Sequence, residues 1–174
     1  IKIPQKEKQL KILIKEIRSA LRKYVGRFQI KSEHQKRLRL LNNNQITEIL
    51  KTHTSTKERL EDYPKLKSLI KRLNPKSILD LGCGLNPLAI ATLIPNIKYH
   101  AIDIKEDELN LIKEFFNKNK IKGDIHLADI RKIKNFPEID LTLILKTLDI
   151  IEDKNHNFSI NILQNLNSKY IIVS

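Results

Sequence analysis

The 174-residue chain has no methionine, one cysteine, four glycines, and an aromatic content of five phenylalanines and four tyrosines. The lone Cys83 allows no internal disulfide and no cysteine-based metal site. No metal is expected. No apolar run reaches the roughly 20 residues that span a bilayer, and the lysine-studded N-terminus lacks the apolar stretch of a signal peptide. These absences lead to the expectation of a cytoplasmic protein with no membrane partner. The missing methionine, and the strand-like run Lys169-Tyr170-Ile171-Ile172-Val173 directly before Ser174, lead us to expect a piece of a longer protein, cut in or just after a sheet strand. Its last strand would then be an exposed apolar edge. There is no internal repeat and no low-complexity linker.

What is abundant is positive charge, and it is uneven. Residues 1–72 hold 20 Lys and Arg against 7 Asp and Glu, whereas residues 73–174 hold 13 of each, so the whole net charge of +13 lies in the first part. That part reads as helices. Leu10, Leu13, Ile14, Ile17, Leu21 and Val25 recur at amphipathic spacing from Gln5 to about Phe28. Further helices are expected over Glu33–Leu41, over Ile46–Lys51, from a Ser55-x-x-Glu58 capping box onward with an interruption at Pro64, and over Leu66–Leu73. A basic helical surface can be a solvated face or a phosphate-neutralising one. The candidate RNA contacts are Arg18, Arg22, Lys23 and Arg27, near helical spacing, and a second cluster of Lys36, Arg37 and Arg39. Aromatics are sparse there (Tyr24, Phe28, Tyr63), which favours recognition of a folded RNA by shape and phosphates over stacking on single-stranded bases.

From residue 74 the pattern changes to alternating strands and helices, the rhythm of an open parallel α/β sheet of Rossmann-like type. Strands are predicted at 77–82, 98–103, 124–128, 140–146 and 169–174, and helices near 87–94, 106–118 and 155–166. We therefore divide the chain into a basic helical region, 1–73, and an α/β domain, 74–174.

The chemistry concentrates in Ser77-Ile78-Leu79-Asp80-Leu81-Gly82-Cys83-Gly84-Leu85-Asn86-Pro87. An apolar strand ends in an acid, two glycines permit a tight bend and close approach of a ligand, and a helix starts beside them. Asn86 is the expected N-cap and Pro87 the first helical residue. Cys83 reads as a small residue of the loop, and Asp80, Gly82, Cys83, Gly84 and Asn86 are expected to bind the cofactor, with Asp80 lining one crevice together with Asp103 and Asp129. Only two of the three glycines of a dinucleotide fingerprint are present, and with Asp80 ahead of the first this favours S-adenosylmethionine over NAD. Asp103 ends the second strand 23 residues after Asp80, where an acid can accept both ribose hydroxyls. Asp129 ends the third and is placed to accept from an adenine amino group. Lys146 and Thr147 stand at the end of the fourth strand, which flanks the switch point with the first, so both should face the transferred methyl. No Asn/Asp-Pro-Pro-Tyr/Phe tetrad and no Pro-Cys pair is present, which speaks against exocyclic-amine and cysteine-adduct chemistry.

The segments His53-Thr54-Ser55-Thr56-Lys57-Glu58-Arg59, Ile78 to Ala89, Tyr99 to Ile104, Leu143 to Leu148 and Ile171 to Ser174 together resemble the aminoglycoside-resistance 16S ribosomal RNA (guanine-N7) methyltransferases, from about Ile46 onward. The resemblance implies a class I, S-adenosylmethionine-dependent enzyme acting on the small ribosomal subunit, at guanine N7 in the decoding-site helix; a monomer is expected, though the sequence itself does not give the oligomeric state. It implies Arg59 on the methionine carboxylate, Gly82 and Gly84 along the cofactor backbone, Asp103 with Ile104 at the ribose, Asp129 with Ile130 at the adenine, and Leu145 with Lys146 beside the methyl. Lys57 stands where the family has Arg, and Asp149 where members often have Pro. Methylation of another RNA site, or a silent RNA-binding protein on the same fold, stays open, as does a resistance or a housekeeping role.

Overall fold

The computed structural model describes residues 10, 12–17, 31–152 and 157–174. Residues 12–17 are helical, within the helix expected from Gln5 to Phe28. Arg18, Arg22, Lys23 and Arg27 lie outside the described residues, as do 153–156. Among the described residues from Lys31 onward, four helices precede the sheet: α1 (Lys31–Asn42), α2 (Ile46–Lys51), α3 (Thr54–Glu58) and α4 (Tyr63–Leu73). Then come β1 (Ser77–Leu81), α5 (Asn86–Ile90), β2 (Lys98–Asp103), α6 (Glu106–Asn119), β3 (Lys122–Leu127), β4 (Ile139–Ile144), α7 (Leu148–Ile151), α8 (Asn157–Asn165) and β5 (Ser168–Val173). A single turn of 3₁₀ helix, Ile130–Lys132, lies between β3 and β4. No described helix is long and apolar enough to cross a membrane.

All five strands are parallel, in the order β3-β2-β1-β4-β5. The central β1 and β4 are buried on both faces, because helices cover both sides of a parallel sheet. The largest apolar cluster joins Ile78, Tyr99, Ala101 and Leu141 of the sheet to Leu111, Ile112, Phe115 and Phe116 of α6. Leu41, Ile49, Leu50, Tyr63 and Ile70 of α1, α2 and α4 belong to the same cluster, so these helices are part of one core with the sheet. Each fully buried Leu, Ile or Phe contributes about 1.5–3 kcal/mol relative to an exposed one. A smaller cluster on the opposite face gathers Leu79, Leu81, Ile102, Ile130, Phe136 and Ile162.

Helix ends follow local chemistry. Asn74 ends α4 in the left-handed conformation (φ 44°), which Asn tolerates better than most side chains. α6 opens with Glu106, Asp107 and Glu108 and closes with Lys118, matching the helix dipole. Three expectations are corrected here. Pro64 lies in the first turn of α4 and begins a helix rather than interrupting one. Ser55 is not a cap: α3 begins at Thr54 after His53, and the hydroxyl of Thr56 donates to the Leu50 carbonyl at 2.6 Å. β4 ends at Ile144, two residues early, because Lys146 takes φ 55°, outside any strand. As expected, β5 pairs on one side with β4 and shows exposed apolar side chains at Tyr170, Ile171 and Val173.

Arg37 is a further correction. It was expected to contact RNA, but it is 1% exposed, and its Nε donates to Thr52 Oγ1 at 2.6 Å and its Nη2 to the Thr52 carbonyl at 3.1 Å. Glu108 of α6 lies 3.8 Å away. Burial pulls the guanidinium's pKa down and Glu108 opposes the shift. A buried cation held this way cannot reach a phosphate; Lys36 and Arg39 on the same helix are exposed. Arg37→Ala should therefore cost about 3 kcal/mol of stability in chemical denaturation, as for breaking other buried pairs. Arg37→Lys should not restore it, since one ammonium cannot replace the planar fork. Unchanged stability in Arg37→Ala would show the side chain to be dispensable to the core.

Candidate active site

The site forms where β1 and β4, neighbours in the sheet, send their chains to opposite faces. Above the carboxyl ends of the strands lies a cleft of about 300 Å³, within the range of small-molecule sites. Gly82, Gly84, Asp103, Asp129, Leu145 and Lys146 line it. Gly82 turns the chain with φ +66°, and a Cβ there would come within 2.5 Å of Thr147 Cγ2. Only glycine fits this position. The Gly82 and Cys83 amides donate to the Ile102 carbonyl at 2.9 and 3.0 Å, which binds the bend to β2. Gly84 (φ +49°) passes beside His53, whose Cε1 would lie 3.1 Å from an added Cβ.

Asp103 is the fixed point of the cleft. Its Oδ2 accepts from the Gly84 amide at 2.8 Å, and its Oδ1 from the Ile104 and Lys105 amides at 2.7 and 3.0 Å. Burial, with Glu108 adding, raises its pKa, while the Gly84 and Lys105 amides oppose this. The two amides fill the lone-pair sites of Oδ1, and Oδ2 retains one for a ligand hydroxyl. Asp129 is held by Arg131 through Nε at 2.8 Å and Nη2 at 2.5 Å, and this pairing lowers its pKa. Ile104 and Ile130 also line the cleft, with Ile130 buried and Ile104 exposed.

Other expected residues brace the cleft without lining it. Asp80 is fully buried, with Oδ2 accepting from the Tyr99 hydroxyl at 2.7 Å, so the expectation that it meets the ligand beside Asp103 and Asp129 is corrected. Asn86 is not the N-cap, which falls on Leu85; its Oδ1 instead accepts from Arg59 Nη1 and the Tyr63 hydroxyl, both at 2.8 Å. Arg59 is buried, and its second contact, to Ser55 Oγ at 3.4 Å, points it toward a residue that does line the cleft. Cys83 is buried in the loop, and burial pushes its thiol pKa up. Thr147 lines the cleft, but its hydroxyl donates to the Leu81 carbonyl at 3.1 Å, which ties the start of α7 to the end of β1.

Three features were not assigned from the sequence. His53 lines the cleft, with Nε2 3.5 Å from Glu108 Oε1, and burial lowers its pKa to about 4, leaving a neutral ring at neutral pH. The Lys146 ammonium pairs with the Glu58 carboxylate across 88 residues. Arg131 occupies Asp129. A His and a Glu within one short motif, His53 to Arg59, were the available signal, but the facing partners are set by tertiary structure.

Burial raises the Asp80 pKa to about 7, against an opposing pull from Tyr99 and Arg59. The unfolded chain, with its ordinary value of 3.8, loses this proton at lower pH than the folded one. The contribution of Asp80 to stability thus falls as pH rises from about 4 to 7. His53 acts oppositely below its ordinary 6.5, so the informative quantity is the difference between variants. The melting temperature of Asp80→Asn minus that of the parent should increase from pH 5 to pH 8. A constant difference would contradict the buried, protonated carboxyl.

Against known proteins, the sequence model of the ribosomal RNA methyltransferase (FmrO) family matches residues 42–174. The 16S rRNA (guanine(1405)-N(7))-methyltransferase of Serratia marcescens is 30% identical over 136 residues, covering 77% of this chain and 53% of that protein. The enzyme of the same name from Frankia casuarinae is 26% identical over 136 residues, covering 74% and 47%. The chain spans about half the length of the curated relatives it matches. Among solved structures, the 16S rRNA methylase RmtB is similar with a TM-score of 0.79 and 26% identity, over 97% of this chain and 69% of that one. The 16S rRNA methylase ArmA is similar with a TM-score of 0.61 and 28% identity, over 80% and 74%. With most of its length matched by one family model and its fold shared with these methylases, the chain belongs to the ribosomal RNA methyltransferase (FmrO) family.

Proposed function

We propose that the chain is the cofactor-binding part of an S-adenosylmethionine-dependent methyltransferase that modifies 16S rRNA in the small ribosomal subunit at N7 of a guanine. The observation that carries this reading is the cleft at the β1–β4 switch point, walled by Gly82, Gly84, Asp103 and Asp129, in a chain of this family. The fit to the cofactor rests on the donor set. Asp103 offers an anchored carboxylate with a free lone-pair site on Oδ2 to a ribose hydroxyl, and Ile104, Ala128 and Ile130 offer apolar contact near Asp129 to a base. Arg59, if turned by a side-chain rotation past Ser55, supplies a planar fork for a carboxylate. When bound, S-adenosylmethionine supplies an electrophilic sulfonium methyl.

Guanine N7 carries a free lone pair, so the chain needs no general base. Positioning alone can supply much of the rate. Leu145 and Lys146 would lie beside the reacting atoms, with Glu58 fixing the Lys146 ammonium at the rim. Thr147 acts as a positioning residue through its hold on Leu81. The basic region 1–73 would dock on rRNA through Lys36, Arg39 and the arginines and lysine before Lys31, the protein acting as a cytoplasmic monomer. A target guanine stacked in a helix must be flipped out to reach the cleft.

The test is incubation with small ribosomal subunits and methyl-labelled cofactor, followed by digestion and mass analysis of the rRNA, with chemical strand scission specific to N7-methylguanine. Label should appear on one guanine, and Lys146→Ala should reduce it about tenfold or more. Label on a different atom or site would replace the target assignment. Absence of label together with persistent, salt-sensitive RNA binding would favour the silent RNA-binding reading.

A further inference from the structure

β3 is an edge strand, and only one of its faces is packed. The Tyr99 ring of β2 meets Phe116 of α6 edge-on at 5.9 Å, so α6 covers the face carrying Tyr99, Ala101, Gly123 and Ile125. The other face turns His100 of β2 and Asp124 and His126 of β3 the same way, because side chains alternate along a strand and the register pairs His100 with Asp124 and Ile102 with His126. The connection from β3 to β4 contains only the 3₁₀ turn Ile130–Lys132, with no helix to cover this corner. Asp124 and His126 are exposed and His100 is nearly buried.

These three side chains form the one grouping of three or more His, Cys, Asp or Glu among the described residues whose donor atoms converge, all within 4.8 Å of one another. His100 Nδ1 and Asp124 Oδ2 are 2.7 Å apart. Donors about 2.0–2.2 Å from a shared tetrahedral ion lie roughly 3.3–3.6 Å apart, so a bound ion asks a small adjustment of the exposed Asp124 and His126 side chains. None of the three lines the cleft.

We propose that His100, Asp124 and His126 form a binding site for a divalent late transition metal of the zinc type, which clamps the edge strand β3 to β2. Two imidazoles and one carboxylate suit Zn²⁺, Co²⁺ or Ni²⁺ rather than Mg²⁺ or Ca²⁺, which prefer all-oxygen sites. Three protein ligands leave the fourth position to water on the open face. The site is independent of the methyltransferase reading. It departs from the expectation of no metal because that expectation rested on the single cysteine, whereas the ligands converge only after β2, α6 and β3 have paired.

The probe is Co²⁺, titrated into the full chain without any affinity tag and followed by its visible absorption, with Zn²⁺ added in parallel during thermal melts. The parent should show saturable absorption at one equivalent and a melting temperature that rises with Zn²⁺, since a cation bound only by the folded state stabilises it. His126→Ala and Asp124→Asn should each weaken Co²⁺ binding about tenfold or more and abolish the Zn²⁺-dependent rise, while His34→Ala leaves both unchanged. Both ligand variants alter exposed side chains, so their metal-free circular dichroism should match the parent. Absence of stoichiometric Co²⁺ binding, or equal titrations in the parent and both ligand variants, would overturn the proposal.

Discussion

The cleft depends on one buried carboxylate. Asp103 collects the amides of Gly84, Ile104 and Lys105, and so joins the glycine bend after β1 to the end of β2 and the approach to α6. Each bond has an ionised acceptor and is stronger than a neutral one, which offsets the cost of holding the charge away from water. The same carboxylate faces the cleft. One residue therefore fixes the shape of the loop and supplies, in Oδ2, an oxygen suited to a ribose hydroxyl, and substituting it alters both.

A second buried acid, Glu108, lies beneath this arrangement. Arg37 from α1, His53 at the start of α3 and Lys105 before α6 all approach its carboxylate. The helices that precede the sheet are thus coupled to the cleft by charge as well as by apolar packing. His53 and Glu58 border the cleft on that side, the first beside Gly84 and the second through the Lys146 ammonium. The basic N-terminal segment and the α/β sheet are divisible by composition, yet from Lys31 onward they share a core.

The parts of the fold visible in the sequence are those governed by local pattern. Strands β1, β2 and β4 were legible because burial on both faces demands continuous apolar runs, and the Gly82 bend because its left-handed backbone excludes other residues. Asp103 and Asp129 were legible from their positions at strand ends. What escaped depends on partners distant in the chain. Arg37 reads as one more surface charge until Thr52 and Glu108 are seen around it. Asn86 reads as a cap until Arg59 and Tyr63 claim its oxygen. Asp80 looks like a ligand-facing acid, but the Tyr99 hydroxyl on the neighbouring strand turns it inward. The convergence of His100, Asp124 and His126 depends on the β2–β3 register, which no short motif records.

The most direct measurement of the central claim is isothermal titration of S-adenosylhomocysteine into the parent chain and into Asp103→Asn, which keeps the side chain's shape and removes its charge. The account predicts one binding site in the parent and affinity at least about tenfold weaker in the variant, the scale expected when a charged hydrogen-bond acceptor is lost. Identical titrations for the two proteins, or no binding heat in a folded parent, would contradict it.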